Sequence, residues 1–184
     1  MIPVLDNILE EISGQLESKL PWLDVSFGKA ERITKKTGNN LCHAPAIYKG
    51  REGFIKNEYL SLFPDSKIGN FSFFWFPDPQ KINWADRSQS TINAPFSLIF
   101  WFDLRKVFET EINRNKEGLK TQILNVLNRE IFLSKGHIKI DKVYELAENI
   151  YKEFTISEVD NQFLMHPYSG FRFEGTLTYT LPCL

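Results

Sequence analysis

The chain has 184 residues, with a hydrophobic fraction of 42% and a charged fraction of 24%, which fits one globular domain and excludes a wholly disordered protein. A net charge of −1 and only two cysteines do not indicate a nucleic-acid binder or a disulfide-rich secreted scaffold. The sequence also has no apolar run of the roughly 18 residues that a membrane span needs and no leader-like start. We therefore expect a cytoplasmic protein that binds neither nucleic acid nor membrane.

The first third of the chain predicts a helix followed by strands. Apolar side chains recur every third or fourth residue over residues 2–20, which indicates an amphipathic helix, and Pro21 ends it. Residues 22–33 have a strand-like pattern. A further strand is predicted over residues 44–48, at a sheet edge or at a strand start, because Pro45 cannot donate a backbone hydrogen bond.

Two strongly apolar segments predict the centre of a sheet. Residues 71–76 and 96–102 are apolar on both faces, which is typical of strands that are covered on each side. Long loops are predicted over residues 49–70 and 77–95, because glycine, proline and polar residues interrupt any periodic pattern there.

A helical section and a closing strand are predicted next. Helical spacing begins after Asp103 and is clearer from Leu119 to Ile131, and Asp141 is expected to cap a further helix that reaches Phe154. Residues 171–180 then alternate between apolar and polar side chains, as in a half-buried strand. The core side is expected to hold Phe171, Phe173, Leu177 and Tyr179, and the solvent side Arg172, Glu174, Thr176, Thr178 and Thr180.

This order of elements predicts the fold class. Strands that follow one another in sequence favour an antiparallel or mixed sheet, with helices packed mainly on one face. The expected protein is a single α+β domain over residues 1–184, with an N-terminal helix and a C-terminal strand.

Residues that could carry chemistry do not form a recognisable motif. Cys42 and His43 are neighbours, so in a strand they would point to opposite faces and could not share a metal ion. Asp78, Asp86 and Asp103 surround the aromatic segments and are read as solvated loop acids and a helix cap. We expect no catalytic residue, no metal site and no cofactor, and hence no enzyme.

Four residues are candidate interface positions: Trp84, Trp75, Tyr59 and Arg87. Trp84 stands in a predicted long loop, where a ring can anchor a partner or fold back onto the domain. Trp75 lies inside an apolar strand, so core packing is the stronger interpretation for it. Tyr59 and Arg87 belong to the two predicted loops.

The element order resembles that of phage tail completion and tail terminator proteins. The resemblance lies in the helix over residues 2–20, the strand after Trp22 and the ending over residues 167–179. It implies a ring-forming structural protein of phage or prophage origin that binds copies of itself and tail or connector proteins. Such a protein would be cytoplasmic or virion-associated.

Two other functions stay open at the level of sequence. The doubly apolar strands could line a pocket for a small apolar molecule beneath a helix. An enzyme with an unfamiliar site would need two ionisable residues to converge in a cleft.

Overall fold

The computed structural model describes residues 4–48, 59–84, 89–108, 115–129 and 136–182. The helices are Val4–Lys19 (α1), Leu104–Val107 (α2), Lys116–Arg129 (α3) and Ala147–Ile150 (α4). The strands are Val25–Lys29 (β1), Glu31–Thr37 (β2), Asn40–Tyr48 (β3), Tyr59–Ser61 (β4), Phe71–Trp75 (β5), Lys81–Trp84 (β6), Gln89–Asp103 (β7), Gly136–Tyr144 (β8) and Tyr168–Pro182 (β9).

The larger sheet is mixed and has the order β1-β5-β7-β9-β8, with β6 paired to β7 beside β5. Only the β1–β5 pairing is parallel among the described pairs of this sheet. A second, three-stranded antiparallel sheet has the order β2-β3-β4. The fold is therefore α+β, as predicted.

In the part of the larger sheet beside β5, alternating side chains of β5, β7 and β9 bury both faces. One side, which we call the helix face, carries Phe74, Phe100 and Phe173 against α1 and α3. The opposite face carries Phe73 and Trp101 against α4, the chain after it and the smaller sheet. The prediction of central strands covered on both sides is confirmed.

The apolar stripe of α1 explains where this helix lies. Ile8, Leu9, Ile12 and Leu16 are buried on the helix face, and their spacing of three and four residues places them on one side of the helix. Pro21 follows the last turn, in which the Leu20 amide still donates to the Leu16 carbonyl at 2.9 Å. The first predicted element is confirmed.

The strand-like pattern over residues 22–33 is confirmed, but these residues contribute to two strands of different sheets, because the chain turns away from β5 at Ala30. The predicted position of Pro45 is wrong. Pro45 lies in β3, the central strand of the smaller sheet, and not at an edge. The Pro45 carbonyl accepts from the Leu62 amide at 2.8 Å, so the Pro45 nitrogen faces the same side of the strand. Because β4 ends at Ser61, no strand pairing at this position needs the N–H group that proline lacks.

The predicted loop over residues 77–95 contains β6 and the first half of β7. Polar and apolar residues alternate there because one face of these strands is exposed to solvent. The polar residues of the exposed face therefore suggested a loop. In the predicted loop over residues 49–70, Tyr59–Ser61 forms β4, and residues 49–58 lie outside the described residues.

The helix predicted after Asp141 is also wrong, because Asp141 lies within β8, which pairs with β9. Only the short α4 is helical in this region. Val143 and Leu146 are 39% and 65% exposed, so the apolar spacing that suggested a helix does not mark a buried face. Backbone pairing with β9 overrides the local pattern.

Candidate functional site

On the face opposite α1 and α3, the β7–β9 ladder extends beyond the residues that cover it. Fifteen residues of β7 pair with fifteen of β9, from Gln89 with Pro182 to Asp103 with Tyr168. The half of this ladder that contains the start of β7 is bordered by β6, which pairs with β7, and by β8, which pairs with β9. We call this four-stranded part the arm.

The two faces of the arm differ in character. On the helix face, Ile92, Ala94 and Leu177 are at most 6% exposed. The other side, which we call the arm face, carries polar side chains that are half-buried or exposed. It consists of Lys81, Asn83, Thr91, Asn93, His137, Lys139, Thr176, Thr178 and Thr180.

The arm face is a polar surface rich in hydroxyl and amide groups. Asn93 and Thr178 are paired across the strands, and the Thr178 hydroxyl donates to Asn93 Oδ1 at 2.8 Å. Such a face can stay wet in an antiparallel sheet, or it can receive a polar partner. The Thr-rich side predicted for the last strand is therefore confirmed for Thr176, Thr178 and Thr180.

Arg172 departs from that prediction, because it is only 1% exposed. On this side of the sheet, the part of β9 before the arm is covered by α4 and by the segment that follows α4. There the Arg172 guanidinium donates to both carboxylate oxygens of Glu153, to Glu174 Oε1 at 2.9 Å and to the Ile150 carbonyl at 3.2 Å. A buried arginine with these acceptors is a charge-paired clamp between β9 and the segment that follows α4.

The carboxylate of Glu174 joins this clamp to a second cation. Lys152 Nζ lies 2.5 Å from Glu174 Oε1. Burial alone would raise the pKa of Glu174, but the Lys152 hydrogen bond and the charges of Arg172 and Lys152 outweigh it and hold this pKa below its ordinary value. Glu174 is thus ionised and bound at neutral pH.

A cleft of 260 Å³ opens beside the clamp, where the covered part of the opposite face meets the arm. Lys142, Lys152 and Arg172 line it together with the carboxylates of Asp141 and Glu174. These groups largely neutralise one another, since Arg172 and Lys152 both bind Glu174 and Lys139 lies 3.0 Å from Asp141. The cleft is therefore an ion-paired junction.

The Cys42–His43 pair is separated as expected. Cys42 is buried, and its thiol donates to Glu158 Oε1 at 3.2 Å. His43 points the other way, with Nδ1 3.1 Å from Thr34 Oγ1. Within the described part of the chain, no group of three or more His, Cys, Asp or Glu side chains could hold a metal ion.

Asp103 is the predicted helix cap. Its carboxylate accepts from the Arg105 amide at 2.9 Å at the start of α2, and the Arg105 side chain binds the same group at 2.8 Å. Burial would raise the pKa of Asp103, but the hydrogen bonds and charge of Arg105 lower it overall. Asp78 lies in the turn between β5 and β6 and Asp86 lies outside the described residues.

The four candidate interface residues have different positions. Trp75 is half-buried and packs edge-on against Phe154 with ring centroids 5.3 Å apart, which favours a role in the core. Tyr59 starts β4, is 46% exposed and leans on the equally exposed Tyr48 at 5.4 Å. The backbone of Trp84 pairs with Ser90 in the arm, and Arg87 lies outside the described residues.

Sequence reasoning missed the Arg172 clamp and the arm. The only local signal for the clamp is an arginine between two core phenylalanines, and its partner Glu153 is 19 residues away. The sequence signal for the arm is the pair Ile82 and Ile92, which lie opposite each other on β6 and β7. A search for strand periodicity on both sides of residues 85–88 could have found these two strands.

Comparisons with known proteins add no assignment. A scan against protein-family models found no match, and a search of curated proteins found none either. In the described helices, none combines the length and the apolar character that crossing a membrane would need.

Proposed function

We propose that the protein is a structural assembly protein of phage or prophage origin, similar to tail completion and tail terminator proteins. It acts through contacts with copies of itself and with tail or connector proteins, and it needs no catalytic site. Its place is the cytoplasm during assembly, or the virion afterwards.

The arm is the observation that supports this proposal. The helix face of β7 and β9 is buried in the core, whereas the opposite face of these strands is buried over only part of its length. The remaining half of the opposite face is a polar surface between two strands, β6 and β8, that end the sheet among the described residues. A sheet that is uncovered over part of one face offers both that face and its strand edges to a neighbouring subunit.

The strand edges themselves are charged, which suits regulated assembly. Lys81 and Asn83 stand on β6, and Lys139, Asp141 and Lys142 stand on β8. Charged edge strands resist uncontrolled edge-to-edge pairing. An assembly protein must bind its neighbours in one geometry and still remain soluble before assembly.

Sedimentation velocity on the purified chain over a wide concentration range tests the proposal. We expect a reversible or stable homo-oligomer, with closed rings visible by negative-stain electron microscopy. A single monomeric species at every concentration and salt level would count against the assembly function. Tail, capsid or portal genes beside the coding sequence would support the phage origin, and a metabolic operon would oppose it.

A further inference from the structure

Two exposed surfaces on opposite sides of the larger sheet carry charges of opposite sign. The exposed surface of α1 holds Asp6 and Glu10, with Glu11 half-buried beside them, and the helix has no basic residue before Lys19. This acidic helix surface points away from the sheet, because the apolar stripe of α1 faces the helix face.

The arm face carries the complementary charge. Its charged members, Lys81 and Lys139, are exposed lysines, and His137 lies on the same face. Among the described residues of the arm, carboxylates occur only at its border with the cleft, where Asp141 is bound by Lys139 and Glu174 by Lys152 and Arg172. Since Lys139 is paired with Asp141, the positive charge of this hydroxyl-rich surface among the described residues comes mainly from Lys81.

The two surfaces also match in length. The 16 residues of α1 span about 24 Å at ~1.5 Å per residue. Residues 89–95 of the arm span about 24 Å at ~3.4 Å per residue. One helix can thus lie over β7 and β9, and the long lysine side chains at the two edges of the arm, on β6 and β8, can then reach inward towards Asp6 and Glu10.

We propose that, in the assembled protein, the acidic helix surface of one copy packs on the arm face of the next copy. The inference rests on the proposed assembly function and names its interface. The two surfaces lie on opposite sides of the same sheet, so the contact is head-to-tail, and such contacts close into rings when the rotation between subunits allows it.

The size and chemistry of this contact set its strength. Four strands at ~4.8 Å spacing are about 14 Å wide, so the footprint is smaller than that of a standard protein interface. Exposed charge pairs at such a contact are screened by salt. We therefore expect an association that is strong at about 50 mM salt and at least roughly tenfold weaker at about 500 mM salt.

Charge reversal in two separate variants tests the interface. The helix variant carries Asp6→Lys and Glu10→Lys, and the arm variant carries Lys81→Glu and Lys139→Glu. All four side chains are exposed, so folding should be retained, which circular dichroism checks. Each variant alone should lose association by at least about tenfold, because like charges then face each other.

Mixing the two variants supplies the decisive measurement. The basic helix of one then meets the acidic arm of the other, and the unchanged surfaces still attract, so association should return to near the wild-type level. A matched control, Lys35→Glu with Lys36→Glu on β2, changes the same number of charges on exposed residues outside the contact and should assemble like wild type.

The outcomes separate this interface from the function on which it rests. If wild type assembles and both variants do so equally well, or if mixing them restores nothing, the interface is wrong and the assembly function stands. If wild type is monomeric at low and high salt, both proposals are overturned.

Discussion

Replacing Arg172 with methionine should destabilise the protein by about 3 kcal/mol. The guanidinium is 1% exposed and binds Glu153, Glu174 and the Ile150 carbonyl. Methionine fills much of the same space but leaves a carboxylate and a carbonyl without their donors. Hydrogen bonds to charged groups each contribute roughly 1.5–3 kcal/mol net, so the sum over the bonds that Arg172 makes is an upper limit for the loss of stability.

Partial exposure of the acceptors reduces this figure. The side chains of Glu153 and Glu174 are 22% and 20% exposed, so water can reach them, and Glu174 keeps Lys152. We therefore choose the lower end of the range of about 3–5 kcal/mol for breaking a buried pair from one side. With a urea m-value of about 2 kcal/mol/M, the midpoint should shift by about 1.5 M.

Urea unfolding followed by tryptophan fluorescence measures this shift. Lys152→Met is the matched control, because Lys152 binds the same Glu174 from a position that is 39% exposed, and it should cost less than about 1 kcal/mol. Arg172→Met combined with Glu153→Met should recover most of the loss, since the carboxylate that would be left without its arginine is then removed as well. Equal midpoints for the Arg172 and Lys152 variants would refute the clamp.

Three further predictions concern the same strand and its surroundings. Gly175→Ala should cost about 2 kcal/mol or more, because its added Cβ would meet the Lys139 carbonyl, whereas Gly28→Ala has nothing within 4 Å of its Cβ and should stay within about 0.5 kcal/mol of wild type in the same urea titration. The lowered pKa of Glu174 means that its stabilising effect is present above its ordinary value of 4.5 and is lost as pH falls through the lower folded value. Glu174→Gln should therefore flatten the fall in stability below about pH 4.5, and an unchanged acid slope would contradict this. Removal of the chain from Phe171 onward takes out the strand between β7 and β8 and should abolish soluble expression, so a folded, soluble truncation product would disprove the single-domain interpretation.

The parts of the fold that could be predicted are those whose burial is continuous along the chain. The stripe of α1 is buried on one side of the helix over its whole length, and the phenylalanines of β5 are buried on both faces of the sheet, so periodicity and environment agree. The apolar side of β9 is buried on the helix face in the same continuous way. The α+β fold class could be predicted from the order of these elements.

The failures occur where tertiary contacts change along an element. β8 is an edge strand whose Val143 stays exposed, so its pairing with β9, and not its own pattern, decides its conformation. Arg172 was assigned to solvent because the strand pattern cannot reveal that the segment after α4 covers only part of that side. The clamp depends on Glu153, which no local rule connects with β9.

The position of β9 between β7 and β8 also has a consequence for how the chain folds. Residues 168–182 must leave the ribosome before the aromatic strand β7 can complete its ladder. Contacts between such distant segments slow folding, because a long loop must close before they form. Until then, the phenylalanine-rich strands β5 and β7 have an open edge that can pair with another chain. We therefore expect this sheet to be completed only after β9 has been synthesised, and the protein to depend on chaperones or low temperature when it is overproduced.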